Sequence, residues 1–500
     1  MNNQDVTNIT PDENEIVEET AYDLLKEFKY VRDFNNRDDF YVKYPITIEG
    51  DSENTEYEAV DRLSSPDFKA IINSYLRNAL DIGILPNING VYYRIYDDIR
   101  IENRTEKIYS RFAGNEDENI YFFADEKNTC LKMTAGKMKF VYTTDYFFYK
   151  NNIMVEQTMP KKSKKTLTEL LKPYVNVSDD CLKLFIVYLC HLFIYDTSHM
   201  ICIINSTHGS GKSTLTKLIK KLLDPTLSEN TLIPSNVEEL KNHCANNTVV
   251  CFDNTRPLKD NESDILCAAV TGSTVAKRKL YSTSDEVLLF LKNIVILNGI
   301  DIVPKRADFV ERSLMFELKS LANGKRKTEK EFWDSFEQDK PYILYDIFET
   351  ISKAMSIKPS IDLNGKSHRM YDAFTWMCSI AVALGYKLEE FQKIFFENTS
   401  NLQDLSDEQD NFVNIVIRYI NSQHGFKVTG KMTDVYNKIK EYAGTEDFPQ
   451  NSSAFSRKMN EKSVKLEEFG YRFDTTVKKD ATYITLMKKG NRPQLTKMVS

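Results

Sequence analysis

The spacing of apolar residues changes period several times along the chain, and each change marks an element. From Tyr22 to about Glu156 helical spacing appears in Phe68–Leu76, and short strand-like runs appear at Val91–Tyr96 and Lys139–Tyr142 between Asn, Asp and Gly turns. This predicts an α+β domain over 21–158, with its Tyr and Phe residues in the core. Ahead of it, residues 1–20 carry acids and no bases and are expected to be disordered. Helices are predicted from Leu167 to Val175 and from Asp179 to Asp196. Ile201–Ile204 is then a continuous apolar run, as in a parallel strand buried on both faces. Leu215, Leu218, Ile219, Leu222 and Leu223 follow at helical spacing until Asp224-Pro225 stops the helix.

Two more buried strands are predicted at Thr248–Phe252 and Asn293–Leu297. Between them, Lys277–Leu291 reads as two strand arms around the turn Ser282–Asp285. Lys330–Ser356 and Lys366–Glu397 have helical periodicity and form a helical lid, and Asn398–Gln409 reads as a loop. In the last stretch, Phe412, Val413, Val416, Ile417 and Ile420 form one amphipathic helix, and Val435, Ile439 and Tyr442 a second. A third, Ser452–Phe469, buries Phe455, Met459 and Leu466 and turns Arg457, Lys458, Lys462 and Lys465 elsewhere. Tyr471–Val477 and Thr482–Met487 alternate as a hairpin whose turn carries Lys478 and Lys479. Three helices and a basic-tipped hairpin describe a winged helix. The organisation expected is a tail (1–20), an accessory domain (21–158), an α/β core (159–360), a lid and linker (361–408) and a winged helix (409–490).

Composition narrows the class. Hydrophobic residues at 41% and charged residues at 28% are those of an ordinary soluble protein. The net charge of −7 is unevenly spread: residues 451–500 hold eleven Lys/Arg against five Asp/Glu, leaving +6 there and −13 elsewhere. A basic end on an acidic body fits a DNA-binding module. The eight cysteines lie mostly in apolar runs without C-x-x-C pairing, so buried thiols of a reducing cytoplasm are expected rather than a zinc site. The longest apolar stretch, Leu182–Tyr195, contains Lys183 and His191 and is too short to span a bilayer; no membrane role is expected. Met159–Lys165, with four lysines, reads as a solvated linker. The accessory domain shows no paired carboxylates or metal-ligand spacing.

Chemistry concentrates after the first buried strand, in Gly209-Ser210-Gly211-Lys212-Ser213-Thr214. Strand, small-residue loop and helix in that order make a phosphate-binding loop, in which backbone N–H groups and the helix N-terminus cradle phosphate oxygens. Lys212 would reach the β- and γ-phosphates of ATP, and the Ser213 hydroxyl would ligate Mg²⁺. Ser206 stands where GxxxxGK[ST] has its first glycine. Asp253 ends the second strand, where Mg²⁺ needs a hard oxygen. The next residue is Asn254, where most ring-forming ATPases have Glu. An amide orients water but cannot take its proton, so Glu262 and Asp264 both stay open as the base. Asn298 ends the third strand and looks like a sensor residue holding the lytic water. Arg312 follows; its guanidinium suits a finger supplied by a neighbouring subunit, which calls for an oligomer.

In this order the motifs resemble the superfamily 3 and MCM-like group of AAA+ helicases. The segments Phe252–Asn254, Leu266–Ser273, Lys277–Val287, Ile296–Asp301, Asp308–Leu314 and Ser367–Met377 are similar to primase-helicase ATPases of mobile elements, among them the Rep initiator helicases of staphylococcal pathogenicity islands. The resemblance runs from about Leu167 to Gly385 and implies an AAA+ core in a hexameric 3′-to-5′ helicase of the bacterial cytoplasm. Such a helicase recognises an origin through the winged helix, melts it, and holds a single strand in its ring channel. It implies the ATP, Mg²⁺, sensor and finger roles above, and adds Arg369 as a second sensor. Family hairpins grip DNA with cations near their tips; here Lys277, Arg278 and Lys279 lie on one arm. The rival expectations are an ATP-switched DNA-binding regulator without unwinding and a phage packaging or defence ATPase.

Overall fold

A computed structural model gives the protein's structure for residues 11–48, 55–85, 87–206, 210–278, 286–299, 306–319, 328–408, 411–446, 448–477 and 481–489. These fall into two compact units, Met1–Ser400 and Asn401–Ser500.

The first unit is built on a parallel four-stranded sheet, in the order Val249–Phe252, Ile294–Gly299, Ile201–Asn205, Ser313–Glu317. Successive side chains of a strand point to opposite faces. Cys202, Ile203, Val295 and Ile296 are all fully buried, so both faces of the sheet are covered. That is why these strands are continuous apolar runs rather than alternating ones. Ile204 lies opposite both Asn298 and Phe316, and Phe252 opposite Leu297. The carboxyl ends of three adjacent strands therefore finish together, where open α/β sheets place their ligands. The hairpin Ser273–Arg278 with Glu286–Leu291 is antiparallel in the register Ser273↔Leu291 to Arg278↔Glu286. Lys279 and the expected tip Ser282–Asp285 lie outside the described residues.

Several expectations are corrected here. The chain from Pro11 is a helix, Pro11–Leu25, not a disordered tail. Ala21 and Leu25 bury in the first core, and Arg94 pairs with Glu19 at 2.8 Å while stacking on Tyr22. Val91–Tyr96 is not a strand but part of the helix Asn89–Glu102, which buries Val91, Tyr92, Ile95 and Ile99 on one face. Asn398–Gln409 is not a loop as far as Glu408: the helix Leu388–Glu408 continues through it, burying Leu402 and Ser406. Among the described residues no helix is long and apolar enough to cross a membrane.

The boundary expected at residue 158 is also corrected. Residues 21–99 have a core of their own, but the sheet Phe112–Gly114, Asn119–Phe122, Cys130–Thr134, Lys137–Val141 contributes Phe112, Tyr121, Leu131 and Met133 to the same core as the parallel sheet and the long helix Glu329–Ile357. The two parts meet at a buried ion. Arg111, with no exposed surface, donates through Nε to Asp224 Oδ1 at 3.0 Å. Its other donors reach the carbonyls of Phe122, Phe123, Val155 and Pro225. Asp224 also takes Lys220 Nζ at 2.7 Å, at the end of the helix Lys212–Leu223. Arg111→Leu removes the buried partner of Asp224 and the guanidinium's bonds to these carbonyls, and is expected to cost about 3–5 kcal/mol of stability. A urea midpoint unchanged from wild type would count against this account.

The second unit runs helix Asn411–Ser422, strand Lys427–Lys431, helix Met432–Ala443, helices Ser452–Glu461 and Ser463–Glu468, then the hairpin Tyr471–Val477 and Thr482–Lys488. Lys427–Lys431 pairs with Thr482–Lys488, completing a three-stranded sheet. The single third helix expected over Ser452–Phe469 is interrupted at Lys462. There the Ser463 hydroxyl bonds the Asn460 carbonyl at 2.8 Å, a side-chain bond that competes with the helix ladder. Phe455, Met459 and Leu466 are nevertheless buried together.

Candidate nucleotide site

The helix Lys212–Leu223 begins at Gly211, whose φ of +91° costs glycine little and a side-chain-bearing residue more. Gly209 lies outside the described residues, and Ser210 is buried with its hydroxyl against that of Ser206. Lys212 Nζ donates to the Ser206 carbonyl at 2.9 Å and lies 3.2 Å from its hydroxyl. The serine in the glycine's place thus supplies a second oxygen to the lysine head. Thr214, in the first turn of the helix, lines the adjoining cavity with Gly211 and Ser213.

Two oxygens converge beside this loop. Exposed Ser213 donates its hydroxyl to Asp253 Oδ1 at 3.0 Å, joining the helix start to the end of the second strand. Asn230 Nδ2 lies 3.5 Å from the other Asp253 oxygen. A hydroxyl and a carboxylate side by side are hard donors suited to Mg²⁺. Asn254 follows in the left-handed region, φ +51°, which asparagine tolerates. Its N–H donates to Asn298 Oδ1 at 3.1 Å, and Asn298 Nδ2 donates to Thr216 Oγ1 at 2.8 Å. Asn298 is buried, and its amide braces the Asn254 turn against the phosphate-loop helix.

Both open candidates for the base are ion-paired. Glu262 accepts Arg256 Nη2 at 2.6 Å and Nη1 at 2.8 Å, and the Lys259 N–H at 2.9 Å. The Arg256 hydrogen bonds hold its carboxyl below the usual range, which weakens it as a base. Asp264 pairs with Arg306 at 2.7 Å.

Arg312 and Arg369, far apart in sequence, share one carboxylate. Arg312 is paired with Asp308 and donates to that residue's carbonyl at 2.9 Å; its side chain is 14% exposed, and its Nε has no partner among the described residues. Arg369 bridges Asp308 and Glu311, each at 2.5 Å. The hydrogen bond from Arg312, then its charge and that of Arg369, hold Asp308 below the usual carboxylate range.

The sequence reading missed a cavity of about 740 Å³ against the loop. Its near wall is Gly211, Ser213, Thr214 and Lys217, and its far wall includes Tyr174, Asn176, Leu318 and Phe332. Asn176 ties that wall together, donating to the Lys319 carbonyl at 2.7 Å and accepting the Lys319 N–H at 2.8 Å. Only the capping box Thr328–Glu331, which aims Phe332, left a trace in the sequence.

Of the expected DNA contacts, Lys277 and Arg278 sit on the first hairpin arm, opposite Val287 and Glu286. Arg457 is exposed, Lys458 lies 5.1 Å from the Phe412 ring, and Lys462 is half-buried at the helix break. Lys478 and Lys479 lie outside the described residues.

Residues 169–397 match the family model described as actinomycete integrative conjugative element replication protein. No curated protein matches the chain. Among solved structures, an apo structure of the NrS-1 C-terminal region covers 94% of this chain and 99% of its own at 15% identity, with a TM-score of 0.42. A structure of JCV helicase with a bound small molecule covers 48% of this chain and 74% of its own at 12% identity, with a TM-score of 0.20. Likenesses at this level establish no shared fold. The family match spans the parallel sheet, the helix Lys212–Leu223 and the helices Glu329–Ile357 and Tyr371–Ala383, so this part of the chain is similar to a replication protein of conjugative elements.

Proposed function

We propose that the protein is an ATP-dependent DNA helicase and replication initiator. The observation that carries this reading is the convergence of Lys212, Ser213, Asp253 and Asn298 at the carboxyl ends of adjacent parallel strands. On ATP binding, Lys212 exchanges the Ser206 oxygens for those of the β- and γ-phosphates. Ser213 and Asp253 would hold Mg²⁺, whose bound charge offsets that of the phosphates. Asn298 keeps the Asn254 turn in place beside the γ-phosphate, and the cavity of Tyr174, Asn176 and Phe332 takes the base.

On this reading 159–360 is an AAA+ core and the helices after it a lid. Arg312 serves the site of a neighbouring subunit in a ring, a hexamer moving 3′ to 5′ as the motif resemblance implies, with Arg369 as a second sensor. In the second unit, the order helix, strand, helix, helix and hairpin supports a winged helix that selects and helps melt the origin, with Arg457, Lys458 and Lys462 facing DNA. The match to a replication-protein family favours this over packaging or defence.

The test is strand displacement on a forked duplex with ATP and Mg²⁺. Unwinding that depends on hydrolysable ATP is expected. If ATP is hydrolysed while the fork stays paired, the ATP-switched regulator becomes the better reading.

A further inference from the structure

We infer that Lys107 and Lys292 form a phosphate-binding site at the root of the hairpin, and that its ligand is a phosphodiester of a nucleic-acid strand. The inference rests on the reading that the protein acts on DNA. Two ammonium groups from distant segments share one ring: Lys107 Nζ lies 5.1 Å and Lys292 Nζ 4.5 Å from the centroid of Tyr195. Lys107 also lies 4.7 Å from the ring of Phe290, on the second hairpin arm, and Lys292 directly follows that arm.

Cation–π attraction accounts for one ammonium on such a ring, not for two that repel each other in a half-desolvated place. Burial, then the charge of Lys292, pushes Lys107 down to about 8, and burial lowers Lys292 as well. Nearby acids only partly offset the pair. Asp196 lies 3.9 Å from Lys292 and is half exposed. Lys107 forms no ion pair among the described residues, and Asp33, opposite Glu106 on the neighbouring strand, acts on it from a distance. Apolar side chains could make the same ring contacts without repulsion. A tetrahedral anion touching both ammoniums removes the repulsion and takes up their N–H donors.

The hairpin argues for a strand rather than a free phosphate compound. The facing arm also carries basic residues at positions 277 and 278 of the sequence, and further positive charge on the same hairpin suits a backbone that repeats its charge.

The experiment is fluorescence anisotropy of a short oligothymidylate across a salt series. Wild type is compared with Lys107→Met/Lys292→Met and with Lys107→Arg/Lys292→Arg. The Met pair is expected to weaken binding about tenfold, and to reduce the slope of log K against log salt by about 0.7–1.4. ATP turnover without DNA should be unchanged in both. The Arg pair should keep wild-type affinity, which separates lost charge from lost packing. Wild-type affinity and slope in the Met pair overturn the site. So does an Arg pair as weak as the Met pair. Inorganic phosphate or pyrophosphate that displaces the strand from wild type but not from the Met pair, at equal ionic strength, would assign the site to free phosphate compounds and overturn the strand. A wild type that binds no oligonucleotide would instead overturn the DNA reading itself.

Discussion

Lys212→Ala is expected to lower ATP turnover by at least about 10²–10³-fold, the cost of removing one charged group aimed at the transferring phosphoryl oxygens. The fold should survive it. Lys212 Nζ holds the Ser206 carbonyl and hydroxyl, and both lie at the mouth of the loop rather than in the sheet. Steady-state turnover beside a urea midpoint separates the two effects. Retained turnover would remove the phosphate-loop assignment, whereas lost turnover with a lowered midpoint would say only that Ser206 needs its partner. Lys212→Arg should not restore activity, because a planar fork does not replace a compact ammonium in a tight cradle.

Arg312→Ala carries the second large effect, about 10³-fold or more in turnover if the guanidinium serves a neighbour's phosphate. The structure adds a condition: Asp308 holds Arg312, so reaching a second subunit means exchanging that carboxylate for phosphoryl oxygens. Arg369 makes the exchange less costly, since its contact with Asp308 compensates the carboxylate that Arg312 leaves. Mixing the two inactive variants, Lys212→Ala and Arg312→Ala, tests the arrangement directly. In a head-to-tail ring assembled at random from equal amounts, roughly a quarter of the sites combine an intact Lys212 with a neighbour's intact Arg312. Turnover should return in proportion. No recovery at any ratio would count against action between subunits.

What could be read from the chain alone follows how local the determinants are. The strand Ile201–Asn205 and the helix Lys212–Leu223 were legible because the apolar run, the helical spacing and the stopping Asp224-Pro225 are contiguous. The two strands that lead to Asp253 and Asn298 were legible because each is a continuous buried run. The helix Asn89–Glu102 was misread because Val91-Tyr-Tyr-Arg-Ile-Tyr has the β-branched and aromatic composition of a strand, while its buried set, Val91, Tyr92, Ile95 and Ile99, recurs at helical spacing over a longer window. The acidic start was misread for a related reason: Arg94, which pairs with Glu19, lies on a different helix. The cavity beside the loop was invisible because Tyr174 and Phe332 meet only in three dimensions. Arg312 with Asp308 is a one-turn pair a reader can suspect, but Arg369 on the same acid is not.

The ion pair of Arg111 and Asp224 bears on how such a chain can be inherited. Recombination preserves function when its crossover falls where few contacts are cut. A crossover near residue 158 would part a buried guanidinium from its carboxylate and divide one core between two parents, so residues from about 105 onward must travel with the phosphate loop. A crossover past the helix Leu388–Glu408, before the second core begins at Phe412, falls between cores that are separate. In lineages that exchange DNA often, variation by shuffling should therefore appear at the carboxyl end, while the stretch from about residue 105 to the loop changes only by point mutation in step with it.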